Sequence, residues 1–420
     1  MILPALASET PVIGTPPLAF RAPANAGGGI GHDRSMHRPQ IGLSLSEGLA
    51  AGPNLGYHWV KEKSRRMAGE PTKGGWHSGR FAHTFAAIDL GTNNCRLLVA
   101  RASVDGYQVI DAYSRPVRLG EGVALSGALC GDAIERTLHA LSVCAGKIER
   151  NRVTMARHIA TEACRRACNG EDFLAVVKER TGLCFEVIDP AEEARLALAS
   201  CENLLDSEIP YGLLIDIGGG STEVSWIRVS RRDDRLGGVA TEILDMTSVP
   251  WGVVTLTESC VKGLPREQPP TRACYDDMME RIRADLRPFC RKHEIGGAIA
   301  RGEVQMIGAS GTVTTVSAHH LGLKRYNRVL VDGSRIGHDS ILRICDQLSV
   351  KSVAELTEVP CIGNDRADLA LAGGAILEAV CRQWPAPMVR VADRGLREGV
   401  LMELMRRADR EADPFRQPRH

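Results

Sequence analysis

The chain lacks the features of several protein classes. Aromatic residues make up only 4% of its 420 residues, so the core must be mainly aliphatic. No apolar run approaches the ~20 residues that a membrane-spanning helix needs. The first residues also lack the basic segment that opens a secretory signal. These absences lead us to expect a cytoplasmic protein with no membrane partner.

Cysteine and charge exclude further classes. The 13 cysteines are odd in number and never take the Cys-x-x-Cys spacing, which argues against a disulfide framework and against a zinc site. We expect reduced thiols that act as small hydrophobic residues. The formal net charge of +1 argues against a nucleic-acid partner, because such proteins carry an extended basic surface. The length suits two domains.

The most informative stretch is an apolar run that ends in an acid and three glycines. Leu213–Ile217 predicts a buried strand with Asp216 near its end, and Gly218–Gly220, Ser221 and Thr222 precede a second apolar stretch. This pattern predicts two strands joined by a turn. Glycine lets the backbone approach a ligand closely, and successive N–H groups in such a turn bind anions. Asp216 can orient a hydrated divalent cation beside a phosphate.

The same layout occurs about one domain's length earlier. Asp89 lies near the end of an apolar run, and Gly91–Asn94 form the corresponding turn. Two such hairpins predict two related domains that face each other across a cleft. A third candidate anion site is the junction at 308–312, where a strand runs through Ser310 and Gly311 into a helix, because a helix N-terminus offers N–H groups and a positive dipole end.

The rest of the chain divides into a leader and an α/β region. Residues 1–84 are rich in Gly, Pro and Ser and show no sustained apolar period, so we predict a disordered leader; translation from Met36 or Met67 is an alternative. Cys130–Arg150 is an amphipathic helix. Asp189 and Pro190 cap another helix through about Leu204. The alternation of strands and helices is an α/β signature.

Seven motifs in order carry a resemblance to a known family. They are residues 87–94, 118–122, 160–169, 192–195, 215–223, 308–312 and 392–399. The chain resembles the exopolyphosphatase/guanosine pentaphosphatase (Ppx/GppA) phosphatases, within the actin-like ATPase-domain superfamily, over roughly residues 85–405. The resemblance implies an α/β fold of two actin-like, ribonuclease H-like domains that face each other across a central cleft.

The resemblance also implies the domain limits. It places domain I at 85–209 and domain II at 210–389, and it returns a C-terminal helix at about 390–407 to domain I. Longer members carry an additional helical domain after this point, so the resemblance indicates the short two-domain form.

The activity implied by the resemblance is hydrolysis of a phosphoanhydride. The enzyme would release the terminal phosphate of inorganic polyphosphate by Mg²⁺-assisted attack of water, with a monovalent cation such as K⁺ left open. Hydrolysis of guanosine pentaphosphate, a step of the stringent response, is the alternative within the family. An actin-like kinase and a non-catalytic polyphosphate- or alarmone-binding protein are alternatives of another class. The sequence leaves open whether the protein forms a homodimer.

The resemblance assigns roles to single residues. Glu193 matches the catalytic glutamate that activates water, with its pKa raised by Glu192 beside it. Glu223 and Arg165 complete the catalytic set, and the arginine would grip phosphate as a planar fork. The predicted metal ligands are Asp89, Asp216 and Glu223. The predicted phosphate-binding residues are Gly91, Thr92, Asn93, Asn94, Gly218, Gly219, Gly220, Ser221, Thr222, Gly308, Ser310 and Gly311.

Structural alternatives stand beside these roles. Glu192 and Glu193 could be an ordinary acidic pair at a helix start, and Arg165 a solvated helix arginine. Arg118 and Arg195 could serve only in ion pairs. Two further features also stay open: Arg96 could face either way, and Gly373–Gly374 could bind an adenosine or could simply allow close helix packing.

Overall fold

The computed structural model describes residues 79–104, 106–232, 238–261, 263 and 265–412. The predicted leader therefore lies outside the described residues up to residue 78. Its last six residues belong to the fold, in contrast to the prediction. Gly79–Ala82 form one 3₁₀ turn, and Thr84 is the buried first residue of the first strand. The turn is fixed because the backbone N–H of Arg80 donates to the Asp409 carboxylate at 2.9 Å.

The first sheet contains five strands in the order β3-β2-β1-β4-β5. β1–β2 and β2–β3 are antiparallel, whereas β4 lies parallel to β1 and β5 parallel to β4. The strands are β1 Thr84–Leu90, β2 Asn94–Ser103, β3 Gly106–Pro116, β4 Met155–Ala160 and β5 Glu186–Val187.

The second sheet contains six strands in the order β10-β11-β9-β6-β7-β8. It repeats the plan of the first, because an antiparallel β6–β7–β8 meander continues into parallel β9. The strands are β6 Tyr211–Ile217, β7 Thr222–Arg231, β8 Val239–Val249, β9 Val304–Ala309, β10 Arg335–Gly337 and β11 Met388–Ala392. The two predicted hairpins, β1–β2 and β6–β7, thus occupy equivalent positions in the two sheets.

Helices connect and cover the sheets. The helices of the first half are α1 Val123–Ser126, α2 Gly131–Arg150, α3 Glu162–Arg166, α4 Gly170–Thr181 and α5 Pro190–Cys201. Those of the second half are α6 Val253–Cys260, α7 Arg272–Lys292, α8 Ile295–Ala300, α9 Gly311–His320, α10 Arg328–Val331, α11 His338–Ser349, α12 Val353–Thr357, α13 Ala367–Gln383 and α14 Leu396–Ala412. None of these described helices is both long and apolar enough to span a bilayer.

The central strands are buried on both faces, as their near-continuous apolar sequences require. On β6, Leu213 packs into a core formed with α7 and α13, whereas its neighbour Leu214 points into a second core that contains residues of α5 and α14. α14 lies against α5 so closely that a Cβ on Gly399 would be 2.1 Å from the carbonyl oxygen of Leu196. The last helix therefore packs beside the first sheet, after the chain has completed the second.

Candidate active site

The two hairpin turns have the same local geometry. In turn 1 (residues 91–94), the N–H of Gly91 donates to the carbonyl of Asn94 at 3.0 Å; in turn 2 (residues 218–221), the N–H of Gly218 donates to that of Ser221 at 2.9 Å. The acid of each hairpin occupies the same place, the residue before the last of its strand. The sequence-predicted repeat is therefore a repeat in three dimensions.

The two turns lie against each other. A Cβ on Gly219 would be 3.0 Å from the Cβ of Thr92 and 3.1 Å from the backbone nitrogen of Asn93. A Cβ on Gly220 would be 2.7 Å from the Thr92 hydroxyl oxygen. The two distances at Gly219 are tighter than most real Cβ contacts, and the distance at Gly220 is shorter than real Cβ atoms show, so the glycines of turn 2 allow the turns to lie this close.

One cavity of about 180 Å³ gathers most of the predicted site. Three of the predicted acids line it together, Asp89 from β1, Glu193 from α5 and Asp216 from β6. The predicted phosphate-binding residues that line it are Gly91, Thr92, Asn93, Asn94, Gly218, Gly219, Gly220, Ser221, Ser310 and Gly311. Residues of both turns and of the start of α9 therefore line the same space as the carboxylates.

Two of the predicted phosphate ligands are not in the lining. Thr222 is fully buried, and its hydroxyl donates to the carbonyl of Trp251 at 2.7 Å. Gly308 faces the helix that follows it, because a Cβ there would lie 2.9 Å from the side chain of Val313. Both predictions need correction: these residues shape the hairpin and the strand–helix junction and do not face the cavity.

Glu223 lies behind the lining, at 2% exposure. Its Oε1 accepts the Ser248 hydroxyl at 2.7 Å, whereas its Oε2 is buried with no hydrogen-bond partner in the described part of the chain. Burial raises the pKa of Glu223. Its carboxylate is also a neighbour that raises the pKa of Glu193 and of Asp216. The residue is thus a second layer of negative charge beneath the cavity wall.

Glu193 combines a helix start with burial. Asp189 caps α5 by accepting the N–H of Glu192 at 2.8 Å, with Pro190 as the first helical residue. Glu193 follows in the first turn and is 8% exposed. Burial, and after it the Glu223 carboxylate, raises its pKa to about 9. The predicted cause, repulsion from Glu192, was wrong.

Glu192 has a different role from its neighbour. Its carboxylate is engaged by Arg195 at 2.6 Å and by Arg157 at 2.9 Å. The hydrogen bond from Arg195, together with that from Arg157, holds the pKa of Glu192 below its usual value. Glu193 lines the cavity and Glu192 does not. Glu192 is therefore an ordinary ion-paired acid at a helix start, as the structural alternative proposed.

Arg165 contacts Glu193 and is not among the residues that line the cavity. Its Nη1 and Nη2 each lie 3.5 Å from Glu193 Oε2, and its Nη2 donates to Glu162 at 2.7 Å. It also donates to the carbonyl of Ile188. A guanidinium with three such partners holds the Glu193 carboxylate in place. The structure thus gives Arg165 a contact with the predicted base.

The acids of the two strands resist ionisation in the cavity, because each is buried and has acidic neighbours. Burial, followed by repulsion from Glu223 and Asp89, raises the pKa of Asp216 to about 8. Burial also raises the pKa of Asp89, although Arg96 opposes the shift. Buried carboxylates in this state need a proton or a cation.

A second pocket adjoins the cavity and contains four arginines that the sequence predictions gave no role. They are Arg96, Arg366, Arg394 and Arg397. Arg96, Arg366 and Arg394 also line the first cavity. Within the described chain, the guanidinium of Arg96 has no hydrogen-bond partner, and Arg397 approaches only Glu398, at 3.8 Å. Two of these arginines, Arg394 and Arg397, lie in the motif at 392–399. Their presence in a family motif was the sequence feature that could have indicated a role in the site.

Other open points of the sequence are decided by contacts. Arg118 pairs with Asp368 at 2.8 Å, and Arg195 pairs with Glu192, as the structural alternative proposed. A Cβ on Gly373 would lie 2.5 Å from the Thr312 hydroxyl oxygen, so this glycine serves close helix packing.

Known proteins resemble this chain over most of its length. The model of the Ppx/GppA phosphatase family matches residues 98–408. Exopolyphosphatase 2 of Mycobacterium tuberculosis is 29% identical over 332 residues, which are 76% of this chain and 98% of that protein.

Solved structures with the same fold were also found. The crystal structure of an exopolyphosphatase-like protein has a TM-score of 0.68 and 29% identity, and covers 77% of this chain and 98% of its own. The Ppx/GppA family member of Aquifex aeolicus has a TM-score of 0.61 and 28% identity, with the same coverage. These matches confirm the predicted α/β fold of two actin-like domains that face each other across a central cleft. The chain belongs to the Ppx/GppA phosphatase family.

Proposed function

We propose that the protein is an exopolyphosphatase, a phosphoanhydride hydrolase that releases the terminal phosphate of inorganic polyphosphate. The observation that carries the proposal is the meeting of three carboxylates and two glycine turns in one cavity that shares lining residues with an arginine-lined pocket. The curated relative named exopolyphosphatase 2 supports it. Hydrolysis of a phosphoanhydride needs charge neutralisation, an in-line water and a base.

Glu193 is the proposed base. It lies in the cavity wall, and Arg165 fixes its carboxylate from behind. Burial raises its pKa, so its ionised carboxylate is a stronger proton acceptor than that of an exposed glutamate, and a cation that neutralises the neighbouring negative charge would favour this ionised form. In that state the carboxylate would orient a water and take its proton as the water attacks the terminal phosphorus.

The N–H groups of the two turns that are not bonded within the turns themselves are the proposed donors to the phosphate oxygens. Turn 1 and turn 2 present backbone from opposite domains, and the N-terminus of α9 adds Ser310 and Gly311. Fixed donors aimed at oxygens that gain negative charge stabilise the transition state without reorganisation. The terminal phosphate would therefore lie between the turns, with Glu193 beside it.

The residues fit a Mg²⁺ ion held largely by its substrate. Mg²⁺ keeps several waters and takes one or two carboxylates together with substrate phosphates. Asp89 and Asp216 are the proposed ligands, with Glu223 behind them; among the described residues, no three acidic, His or Cys side chains converge on one point. The buried Oε2 of Glu223, which has no hydrogen-bond partner among the described residues, and the raised pKa values of Asp216 and Glu223 fit a cation bound beside these acids. The ion would neutralise both the carboxylates and the phosphate.

The arginine pocket is the proposed route for the remaining phosphates. Arginine binds phosphate oxygens through a planar fork and stays charged at all relevant pH values. Arg96, Arg366 and Arg394 line both spaces, so a chain with its terminus in the cavity can continue past them. This continuity favours a substrate with several phosphates over a simple monoester.

We also propose that the domain limits are those predicted from the sequence, 85–209 and 210–389, with the last helix returned to the first domain. The first sheet and α5 lie before residue 210, and the second sheet lies after it. α14 shares its apolar core with α5, through Val400 and Leu196 among others. This contact supports the return of the last helix.

Guanosine pentaphosphate is the second candidate substrate, and one observation favours it. Part of the cavity wall is apolar, formed by Val253, Val316, Leu348, Ile362 and Leu369. Phosphates need no such surface, whereas a nucleoside does. The same carboxylates and turns would then act on the terminal phosphate of a nucleotide.

A direct comparison of substrates tests the proposal. Phosphate release would be measured with Mg²⁺ from medium-chain polyphosphate, guanosine pentaphosphate and ATP at equal concentration of terminal phosphate. We expect polyphosphate to be hydrolysed with the highest kcat/KM. Faster release from the pentaphosphate would support the second candidate, and transfer of the phosphate to an acceptor in place of water would contradict hydrolysis.

A further inference from the structure

The loop between β3 and α1 is bonded to turn 1. The N–H groups of Val117 and Arg118 both donate to the carbonyl of Asn93 at 2.9 Å, and the N–H of Gly120 donates to the carbonyl of Thr92 at 2.9 Å. A Cβ on Gly120 would lie 2.2 Å from the Thr92 methyl carbon. The bridge loop (residues 117–122) is therefore packed onto turn 1 and holds its backbone.

Helix α6 is bonded to turn 2 in a similar way. The N–H of Val253 donates to the carbonyl of Gly218 at 3.0 Å, and that of Val254 donates to Gly219 at 2.8 Å. A Cβ on Gly252 would lie 2.3 Å from the carbonyl carbon of Gly219. The first turn of α6 and turn 2 are thus one rigid unit.

One side chain joins these two units. Glu258, at the other end of α6, accepts the N–H of Gly122 through Oε1 at 2.8 Å. Its Oε2 is buried, and no described residue gives it a hydrogen bond. A second link lies nearby, where Arg118 pairs with Asp368 of α13 at 2.8 Å. Arg118 has φ of 50°, a left-handed conformation that is unfavourable for a residue with a side chain and persists only where the surroundings impose it.

We propose that Glu258 and the bridge loop form a strap that fixes the separation of the two phosphate-binding turns, which makes Glu258 a positioning residue for hydrolysis. The strap runs from turn 1 through the bridge loop to Glu258, and through α6 to turn 2, by hydrogen bonds of 2.8 to 3.0 Å. The inference rests on the proposed function, because it assumes that both turns grip one phosphate. Without the strap, the domains separate more readily and substrate binding must first bring them together.

The consequence for kinetics is a change in KM. When only a fraction of the enzyme is closed, the apparent affinity falls by that fraction, whereas the saturated enzyme is closed by its substrate. Glu258→Ala should therefore raise KM for medium-chain polyphosphate about tenfold and change kcat by less than about twofold. Glu258→Gln should stay close to wild type, since its amide oxygen still accepts the Gly122 N–H. The control is Glu267→Ala, an exposed glutamate in the same half of the chain.

The ion pair offers an independent variant. Arg118→Asp should raise KM, and the double variant Arg118→Asp with Asp368→Arg should recover part of the loss, because the pair is restored with its charges exchanged. An unchanged KM in Glu258→Ala would overturn the strap, and so would a Glu258→Gln variant as impaired as Glu258→Ala. A fall in kcat at unchanged KM would also overturn it, because it would indicate loss of active enzyme.

A measurement without substrate separates this inference from the proposed function. Small-angle X-ray scattering of the full chain should give a larger radius of gyration for Glu258→Ala than for wild type and Glu267→Ala, with thermal unfolding used to show that each variant is folded. Equal radii would overturn the strap. If no phosphate compound is hydrolysed by the wild type, the proposed function fails, and the scattering comparison still decides whether the strap holds the domains together.

Discussion

Replacing Glu193 by glutamine tests the electrostatics of the cavity. Burial and the Glu223 carboxylate raise the pKa of Glu193 from 4.5 to about 9. The folded protein therefore keeps a proton on Glu193 at neutral pH, whereas the unfolded chain releases it above pH 4.5. The stability contributed by the protonated carboxyl is fully present below pH 4.5 and is lost as the pH rises to about 9.

The size of the effect follows from linkage. Between about pH 5.5 and about pH 8 the folded state binds close to one more proton than the unfolded state, and each pH unit corresponds to about 1.4 kcal/mol. Over this interval Glu193 alone lowers the free energy of unfolding by about 3 kcal/mol. Glu193→Gln removes the titrating group. Between about pH 5.5 and about pH 8, the free energy of unfolding of this variant should therefore fall by about 3 kcal/mol less than that of wild type. Urea unfolding in the presence of a chelator, at several pH values, measures the free energy of unfolding of wild type and of the variant.

Glu192→Gln is the matched control, because the two acids are adjacent and differ in environment. Hydrogen bonds from Arg195 and Arg157 hold the pKa of Glu192 low. Its stabilising effect is therefore present above its unfolded pKa and does not change between pH 5.5 and pH 8, so the control should follow the pH dependence of wild type. A Glu193→Gln variant with the same pH dependence as wild type would refute the account of the buried proton.

The same variant tests the chemistry. Glu193→Gln should lower kcat by ~10² to 10⁴ while KM for polyphosphate stays near normal, because a base acts in the transition state and contributes little to binding. Phosphate release with saturating Mg²⁺ measures both constants. A KM that rises as far as kcat falls would show that Glu193 binds substrate and does not act as the base.

Three other changes have defined outcomes. Arg165→Lys should lower kcat and kcat/KM, because an ammonium cannot contact Glu193 and its two other partners at once; kinetics equal to wild type would show that the fork geometry is unimportant. Gly220→Ala should lower kcat/KM more than tenfold, because its Cβ would lie 2.7 Å from the Thr92 hydroxyl oxygen, whereas Gly146→Ala, whose Cβ would meet no described atom within 4 Å, should be neutral; thermal unfolding would check that both are folded. Chelation of divalent cations should abolish phosphate release, and Mg²⁺ should raise the melting temperature more at about pH 8 than at about pH 6, because the acids must ionise to bind it; an effect equal at both pH values would place the ion elsewhere.

Local signals in the sequence anticipated local structure. The glycine turns, the Asp189 cap and helix α2 depend on neighbours within a few residues, and each formed close to its predicted position. The end of the last helix differs from its predicted position. The prediction placed it at about residue 407, whereas α14 continues to Ala412. Its extra turn packs near the 3₁₀ turn at the start of the described chain through Asp409. That contact joins residues 329 positions apart, which no local pattern can indicate.

The same distinction explains the errors in the site. Turn residues were assigned to phosphate as a group, and the sequence cannot show that Thr222 donates to Trp251 or that Gly308 faces Val313. The cause of the raised pKa of Glu193 was assigned to its neighbour in sequence, whereas the main charged neighbour in space is Glu223. Charges act through space, so their partners were the least predictable part of the site.

The equivalent hairpins differ at one paired position. In the first, Asp89 lies opposite Arg96 on the neighbouring strand; in the second, Asp216 lies opposite Glu223. A repeat that is symmetric in backbone is thus asymmetric in charge, positive on one side and negative on the other. Under the proposed function, a linear polyanion in the cavity would be directional as a result: its body would be drawn toward the guanidinium side and only its tip would meet the acids, so cleavage would proceed from an end and not from within.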